Sequence, residues 1–456
     1  MSKRIGLNFI EKNCPTVDNI GLWTHPDSRA SDYKELSYWT ELAQLLERGR
    51  FDAIFFADAL GTFSTYKNSR DTAVSEGMSL PINDPSYLIP AMAAVTEHLG
   101  FVVTSSITYD HPYALARKMS TLDHLTNGRI GWNIVTSNLN SAALNFSLTE
   151  QMEHDTRYDR GDEFLNVCYK LWQCSWESDA VVRDRINRVY TDPAKIHEIR
   201  HKGTFFKEPG IHLCEPSPQR TPVLFQAGSS TRGRQFAAQH AECIFLNAMT
   251  VEETRFLVQD IRNKAEAAGR DPQQLRFFPR FVPVVAPTEA EAKTKFAEYV
   301  RYVSTEGTLA LLSSWSGIDL SAYTPDELLA YIRKKSNGSQ YIADYLRRLD
   351  EGKRWTTEEL AELYAFGGAG NVTVGSPQQI ADYMEAFVES TGVDGFNLAY
   401  AVRGKSICEF IDEVVPELQR RGSIQTSYKP GTLRDNLFNH GPHTPSDHPA
   451  SQVRID

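Results

Sequence analysis

The chain has 456 residues, 41% hydrophobic and 23% charged, enough to bury a large core as one elaborated domain or two. Its net charge of −10 argues against a nucleic-acid binder, because that affinity comes from Lys and Arg neutralising phosphates. Six scattered cysteines form no C-x-x-C pair, which fits reduced thiols better than a disulfide framework or a zinc site.

The N-terminus MSKRIGLNFIEKNC has too short an apolar run for a signal peptide and reads as a first strand, Arg4–Ile10. No run approaches a membrane helix in length, so a cytoplasmic protein without membrane partners is expected. Tyr33–Arg50 is an amphipathic helix, with Leu36, Trp39, Leu42, Leu45 and Leu46 at helical spacing. Phe51–Asp58 reads as a buried strand ending in a carboxylate. A polar insertion follows near 60–84. Pro85–Leu99 reads as a helix, Phe101–Thr108 as a strand, His111–Leu125 as a helix and Arg129–Thr136 as a strand.

The alternation continues with a helix over Tyr158–Cys174 and an irregular insertion, 176–220. Then come a strand at 222–227, a helix at 231–241, a strand over Glu242–Asn247 and a helix over Val251–Ala268. Leu275–Val285 is a strand and Thr288–Val303 a helix. A helical insertion, roughly 304–370, has the length of a lid. Gln378–Glu389 is a helix, Gly395–Tyr400 a strand and Ser406–Arg421 the last helix. Residues 1–422 are read as a single domain, and 423–456 as a polar tail wrapping a surface. Eight short apolar strands alternating with helices predict an α/β fold, a (β/α)8 TIM barrel with insertions.

In such a barrel the site is built at the C-terminal strand ends. Those ends carry Asn8 and Phe9, Asp58, Thr104, Asn133 to Ser137, Ser229 and Ser230, Phe245, and Asn397 with Tyr400. The mouth is rich in hydroxyls, amides and aromatics and poor in carboxylates and histidines. There is no H-E-x-x-H, no G-x-S-x-G and no strand read as ending in Lys, so no metal is expected, nor a serine or Schiff-base nucleophile. The stretch TPVLFQAGSSTRGRQ, Thr221–Gln235, is a strand, a small-residue turn and a helix start. It aims backbone N–H groups and two hydroxyls at one spot, with Arg232 and Arg234 nearby, as a phosphate requires. Taken by itself, the segment reads first as an ordinary capped loop with Ser as helix N-cap. His154 and Tyr158, four apart, share a helix face if that helix starts near Glu153, and they would grip the same anion. A local packing role for both is the alternative.

Several segments together resemble one family: LERGRFDAIFFADAL, ARKMSTLDHLTNGRIGWNIVTS, EHDTRYDRGDEFL, LCEPSPQRTPVLFQAGSSTRGRQFAA and VDGFNLAY, in family order over nearly the whole chain. The chain resembles the flavin-dependent monooxygenases of the bacterial luciferase-like superfamily. Within it, the chain is similar to the branch of nitrilotriacetate, dibenzothiophene-sulfone and dimethyl-sulfide monooxygenases, the last group above all. The resemblance implies non-covalent FMN, used as FMNH2 and supplied by a separate NADH:flavin reductase, with O2 as co-substrate. It places flavin-binding roles on Asp58, Thr104, His154, Tyr158 and Ser229, with Ser230 beside the phosphate and Asn133 and Ser137 lining the isoalloxazine. It also implies a homodimer or homotetramer.

A substrate pocket walled by Phe9, Phe56, Phe245 and Trp315 would be small and apolar, with no Arg or Lys clamp evident. Together with the resemblance to the dimethyl-sulfide monooxygenases, that makes a small thioether such as dimethyl sulfide the expected organosulfur substrate, to be oxygenated and cleaved. The same chemistry on an aminopolycarboxylate, sulfone or sulfonate is the alternative. A phosphosugar lyase or isomerase on the same barrel would use the same phosphate cradle.

Overall fold

The computed structural model describes residues 4–248, 250–322, 359, 364–366 and 371–455. Eight parallel strands close into a barrel: β1 (Gly6–Glu11), β2 (Ala53–Phe56), β3 (Gly100–Ser106), β4 (Ile130–Val135), β5 (Val223–Gln226), β6 (Cys243–Leu246), β7 (Arg276–Val285) and β8 (Gly395–Leu398). Each pairs with the next, and β8 closes on β1 through the register Gly6↔Gly395 to Phe9↔Leu398. A further strand, Asn371–Gly375, left unassigned by the sequence, pairs in parallel with the outer half of β7.

The helices that cover the barrel include α1 (Leu36–Arg48), α2 (Pro112–Leu125), α3 (His154–Tyr169), α4 (Thr231–His240), α5 (Val251–Ala267), α6 (Glu289–Val300), α7 (Thr305–Ser316) and α8 (Pro377–Thr391). Their ends follow local chemistry. Thr288 and Glu291 form a capping box on α6, and Ser376 and Gln379 another on α8, with Pro377 pre-set for the first turn. The helix expected over Pro85–Leu99 is shorter, a 3-10 turn at Pro85–Tyr87 and a helix at Ile89–Ala94. No described helix is long and apolar enough to cross a membrane. The insertion at 60–84 carries the short helix Asp71–Ser75, and 176–220 carries two small antiparallel hairpins. Most of the 304–370 insertion lies outside the described residues.

Strand alternation splits the core into two layers. Leu7, Phe9, Ile54, Phe56, Val103 and Trp132 face the helices. Ile10, Ala53, Phe55, Val102, Phe225, Phe245 and Phe278 fill the barrel. Inside, the Phe245 ring stacks on Phe55 at 4.3 Å and on Phe225 at 5.2 Å, which makes a dense aromatic floor.

The tail does more than wrap a surface. Leu433 and Phe438 join the inner cluster and close the barrel base. Arg434, fully buried, donates to Glu242 at 2.7 and 2.9 Å and to the carbonyls of Thr221 and Pro222 at 3.0 Å. The four-atom pairing satisfies a charge that would be costly to bury alone.

Candidate active site

Two helix starts meet at one corner of the barrel mouth. Glu153 caps α3 by accepting from Thr156 N–H at 2.8 Å, so His154 opens the helix and its ring lies 5.3 Å from that of Tyr158. Ser230 caps α4 by accepting from Gly233 N–H at 3.0 Å. The sequence offered capping and anion binding as competing readings of this loop, and the structure realises the cap at Ser230 while bringing the loop against Tyr158. A Cβ at Gly233 would stand 2.7 Å from the Tyr158 hydroxyl and 3.0 Å from Ser230 Oγ; one at Gly228 would stand 2.9 Å from the same hydroxyl. Two glycines therefore keep a cradle open around the phenol. Tyr158 is buried, and burial raises its pKa, while hydrogen bonds with Thr136 and Ser230 work the other way. It stands as a neutral phenol able to donate.

The positive charge expected beside this loop is already spent. Arg232 pairs with Asp159 at 3.0 Å and Asp162 at 2.6 Å, and Arg234 pairs with Asp260 and the Ser229 carbonyl. An anion here would be held by N–H groups, hydroxyls and helix ends.

Thr104 and Asn133 are register partners on β3 and β4 and face inward. Asn133 Nδ2 donates to Thr104 Oγ1 at 3.0 Å, and Thr104 passes its proton to the Phe56 carbonyl at 2.8 Å. Asn133 Oδ1 is buried without a partner among the described residues. Ser137 bonds Ser106 Oγ at 3.0 Å from a left-handed backbone, φ 51°. Such a conformation in a serine costs about 1–3 kcal/mol and is kept where the surroundings enforce it. Asp58 lies two residues beyond β2 and bonds Ala59 N–H at 2.8 Å; burial pushes its carboxyl up to about 6.

The aromatic pocket needs correction. Of the four expected wall residues, Phe245 alone lies inside the barrel. Phe9 stacks on Tyr400 at 5.8 Å and Phe56 packs on Trp39 at 5.6 Å, both in the layer under the helices. Inward positions on β1 are Gly6, Asn8 and Ile10, and on β2 Ala53 and Phe55, so period-two alternation turns Phe9 and Phe56 away. Trp315 is half-buried near the end of α7, which packs on Ile20 of the loop after β1 and on Glu76.

Cations also stand at the mouth, contrary to expectation. β1 ends at Glu11, so Lys12 follows the strand directly. Its ammonium lies 3.4 Å from Asp18 and 3.2 Å from Ser79 Oγ. Arg280, in the middle of β7, bonds the other oxygen of Asp18. Burial works to raise the Asp18 carboxyl, but Lys12 and Arg280 override it and bring it down to about 2. The alternation Phe278, Arg280, Val282 in RFFPRFVPVV carried the signal for an inward Arg280. Behind this loop Glu11 holds Arg403 at 2.8 Å and accepts from Tyr400 at 2.8 Å, while Arg403 bonds the carbonyls of Lys12 and Cys14.

A family model described as luciferase-like monooxygenase matches residues 19–395. The chain is 48% identical over 456 residues to the dimethyl-sulfide monooxygenase of Hyphomicrobium sulfonivorans, covering 100% of this chain and 94% of that protein. It is 49% identical over 455 residues to the long-chain alkane monooxygenase of Geobacillus thermodenitrificans (strain NG80-2), covering 100% of this chain and 99% of that one. Among solved structures, a riboflavin lyase (RcaE) with modified FMN and riboflavin superposes with a TM-score of 0.92 at 36% identity, covering 100% of both chains. With the closed barrel and this mouth, these matches establish that the chain belongs to the luciferase-like monooxygenase family.

Proposed function

We propose that the protein is a monooxygenase that uses reduced FMN, delivered by a separate NADH:flavin reductase, and O2 to oxygenate and cleave a small organosulfur compound. The observation that carries this reading is the open cradle formed by Tyr158, Gly228 and Gly233 where α3 and α4 begin. It suits a phosphate monoester, and the neighbouring mouth holds the buried amide oxygen of Asn133, which has no hydrogen-bond partner among the described residues. A planar ring with an N–H donor at its edge would satisfy it. FMN has both parts.

In this reading Tyr158, the N–H groups after Gly228 and the hydroxyls of Ser229 and Ser230 bind the phosphate, with His154 closing over Tyr158. Thr104, Asn133 and Ser137 orient the ring, and Asp58 accepts from its polar edge or the ribityl chain. Phe245 forms the floor and keeps water from below. Bound reduced FMN would supply the electrons that activate O2. One relative is named for a thioether and another for an alkane, and a thioether such as dimethyl sulfide is the first substrate to try.

The lyase or isomerase alternative has less support. Its lysine would be Lys12, which is held by Asp18. The test is anaerobic titration of the protein with FMNH2, then admission of air with a thioether present. Binding of FMNH2 and oxygen uptake coupled to an oxidised product are expected. No binding of FMNH2 would refute the proposal.

A further inference from the structure

The wall made by β1, β8 and β7 carries a polar row that the flavin reading leaves unused. Asn8 pairs in register with Asn397, and Asn397 with Arg280, so all three share the inner face of adjacent strands. Each is more than nine-tenths buried. Both amide atoms of Asn8, the amide oxygen of Asn397 and Nε of Arg280 have no hydrogen-bond partner among the described residues. Lys12 joins the row through Asp18, which it shares with Arg280. Two buried cations thus share one carboxylate. Glu11, the next acid, is committed to Arg403. Asp58, the other carboxylate that Lys12 influences, stands beyond β2.

Burying a cation is tolerated when it is paired, and burying polar atoms is tolerated when they are bonded. Here the pairing is one carboxylate short among the described residues, and two buried donors, Asn8 Nδ2 and Arg280 Nε, await an acceptor. We propose that this wall is a recognition site for an oxyanion on the substrate, a carboxylate or sulfonate, seated between Arg280, Lys12 and Asn8. Resting on the monooxygenase reading, it makes the substrate an organosulfur acid rather than a bare thioether. The planar guanidinium of Arg280, the Lys12 ammonium and the Asn8 amide N–H would donate to the two or three oxygens of such a group. The sulfur end would then extend toward Phe245 and the Thr104–Asn133 wall.

The test is equilibrium binding to the FMN-loaded full chain, comparing (methylthio)acetate with its uncharged analogue ethyl methyl sulfide. The acid is expected to bind at least about tenfold more tightly, a preference that falls as salt rises. Arg280→Met and Lys12→Met should each erase most of that preference. Asp18→Asn removes the competing carboxylate and should strengthen binding of the acid, which a merely structural role for the cluster does not predict. A sulfonate, (methylthio)methanesulfonate, distinguishes the two oxyanions. Equal affinity for acid and neutral thioether in the native protein, or weaker acid binding in Asp18→Asn with FMN affinity retained, overturns the proposal. Failure to load FMN would instead count against the monooxygenase reading beneath it.

Discussion

Tyr158→Phe isolates the phosphate grip with the least disturbance to the fold. The ring stays, and with it the contacts to His154 at 5.3 Å and Phe236 at 5.4 Å. Ser230 still caps α4, because its hydroxyl accepts from Gly233 N–H whether or not the phenol is present. Only the hydroxyl in the cradle is lost. A hydrogen bond to a charged phosphate contributes about 1.5–3 kcal/mol. At about 1.4 kcal/mol per decade, affinity for reduced FMN should fall roughly ten- to hundredfold. Riboflavin, which lacks the phosphate, should bind both proteins alike. The assay is anaerobic titration followed by tryptophan quenching, with a thermal melt to show that the fold is intact. Unchanged FMNH2 affinity, or an equal loss for riboflavin, would refute the assignment of Tyr158 to the phosphate.

Gly233→Ala places a methyl 2.7 Å from the Tyr158 hydroxyl, so the phenol must shift out of the cradle. Titration should show FMN affinity reduced by about tenfold or more, with the helix itself unharmed because alanine favours it. Asp58 has a folded-state pKa raised from 3.8 to about 6, so its ionised form costs stability as pH rises through that interval. Asp58→Asn should therefore stabilise the ligand-free protein by up to about 3 kcal/mol at pH 8 and by little at pH 4, read from denaturant midpoints. At the barrel base the sign is opposite. Burial raises Glu242, but Arg434 overrides it and lowers the carboxyl from 4.5 to about 2, and burial lowers His448 from 6.5 to about 3. Both contribute stability that is full above pH about 6.5 and lost as pH falls toward 2. Urea melts at stepped pH should show that loss, smaller in Glu242→Gln than in the native chain once the variant's own destabilisation at pH 7 is subtracted.

Much of the architecture was legible in the residues, because parallel strands covered on both sides read as short apolar runs and helices declare themselves by period and caps. The placing of Asp58, Thr104, Asn133 and the Ser229–Ser230 loop at the mouth followed from the rule that barrel sites gather at strand ends, and that of Tyr158 from its helical spacing to His154. Direction was harder. Phe9 and Asn8 are neighbours on one strand, and a single step in the alternation sends one under the helices and the other into the barrel. The composition of a strand end does not contain that parity; the register does. Likewise the charge on Arg232 and Arg234 was visible, but not that Asp159, Asp162 and Asp260 on other helices would neutralise it.

By itself, then, the sequence determined the barrel, the order of its elements and the family, since these rest on local periodicity and on segments read along the chain. Tertiary structure alone decided three things. It decided between the two readings the sequence offered for the loop after β5 and Tyr158 of α3, local packing or a shared cradle, because they meet only when the barrel closes. It drew Leu433, Arg434 and Phe438 of a polar tail into the base. It brought Lys12, Asp18 and Arg280 together across β1 and β7, where two buried cations share one acid. Each depends on which residues meet through space, and non-local contact is the part of the fold that no local pattern encodes.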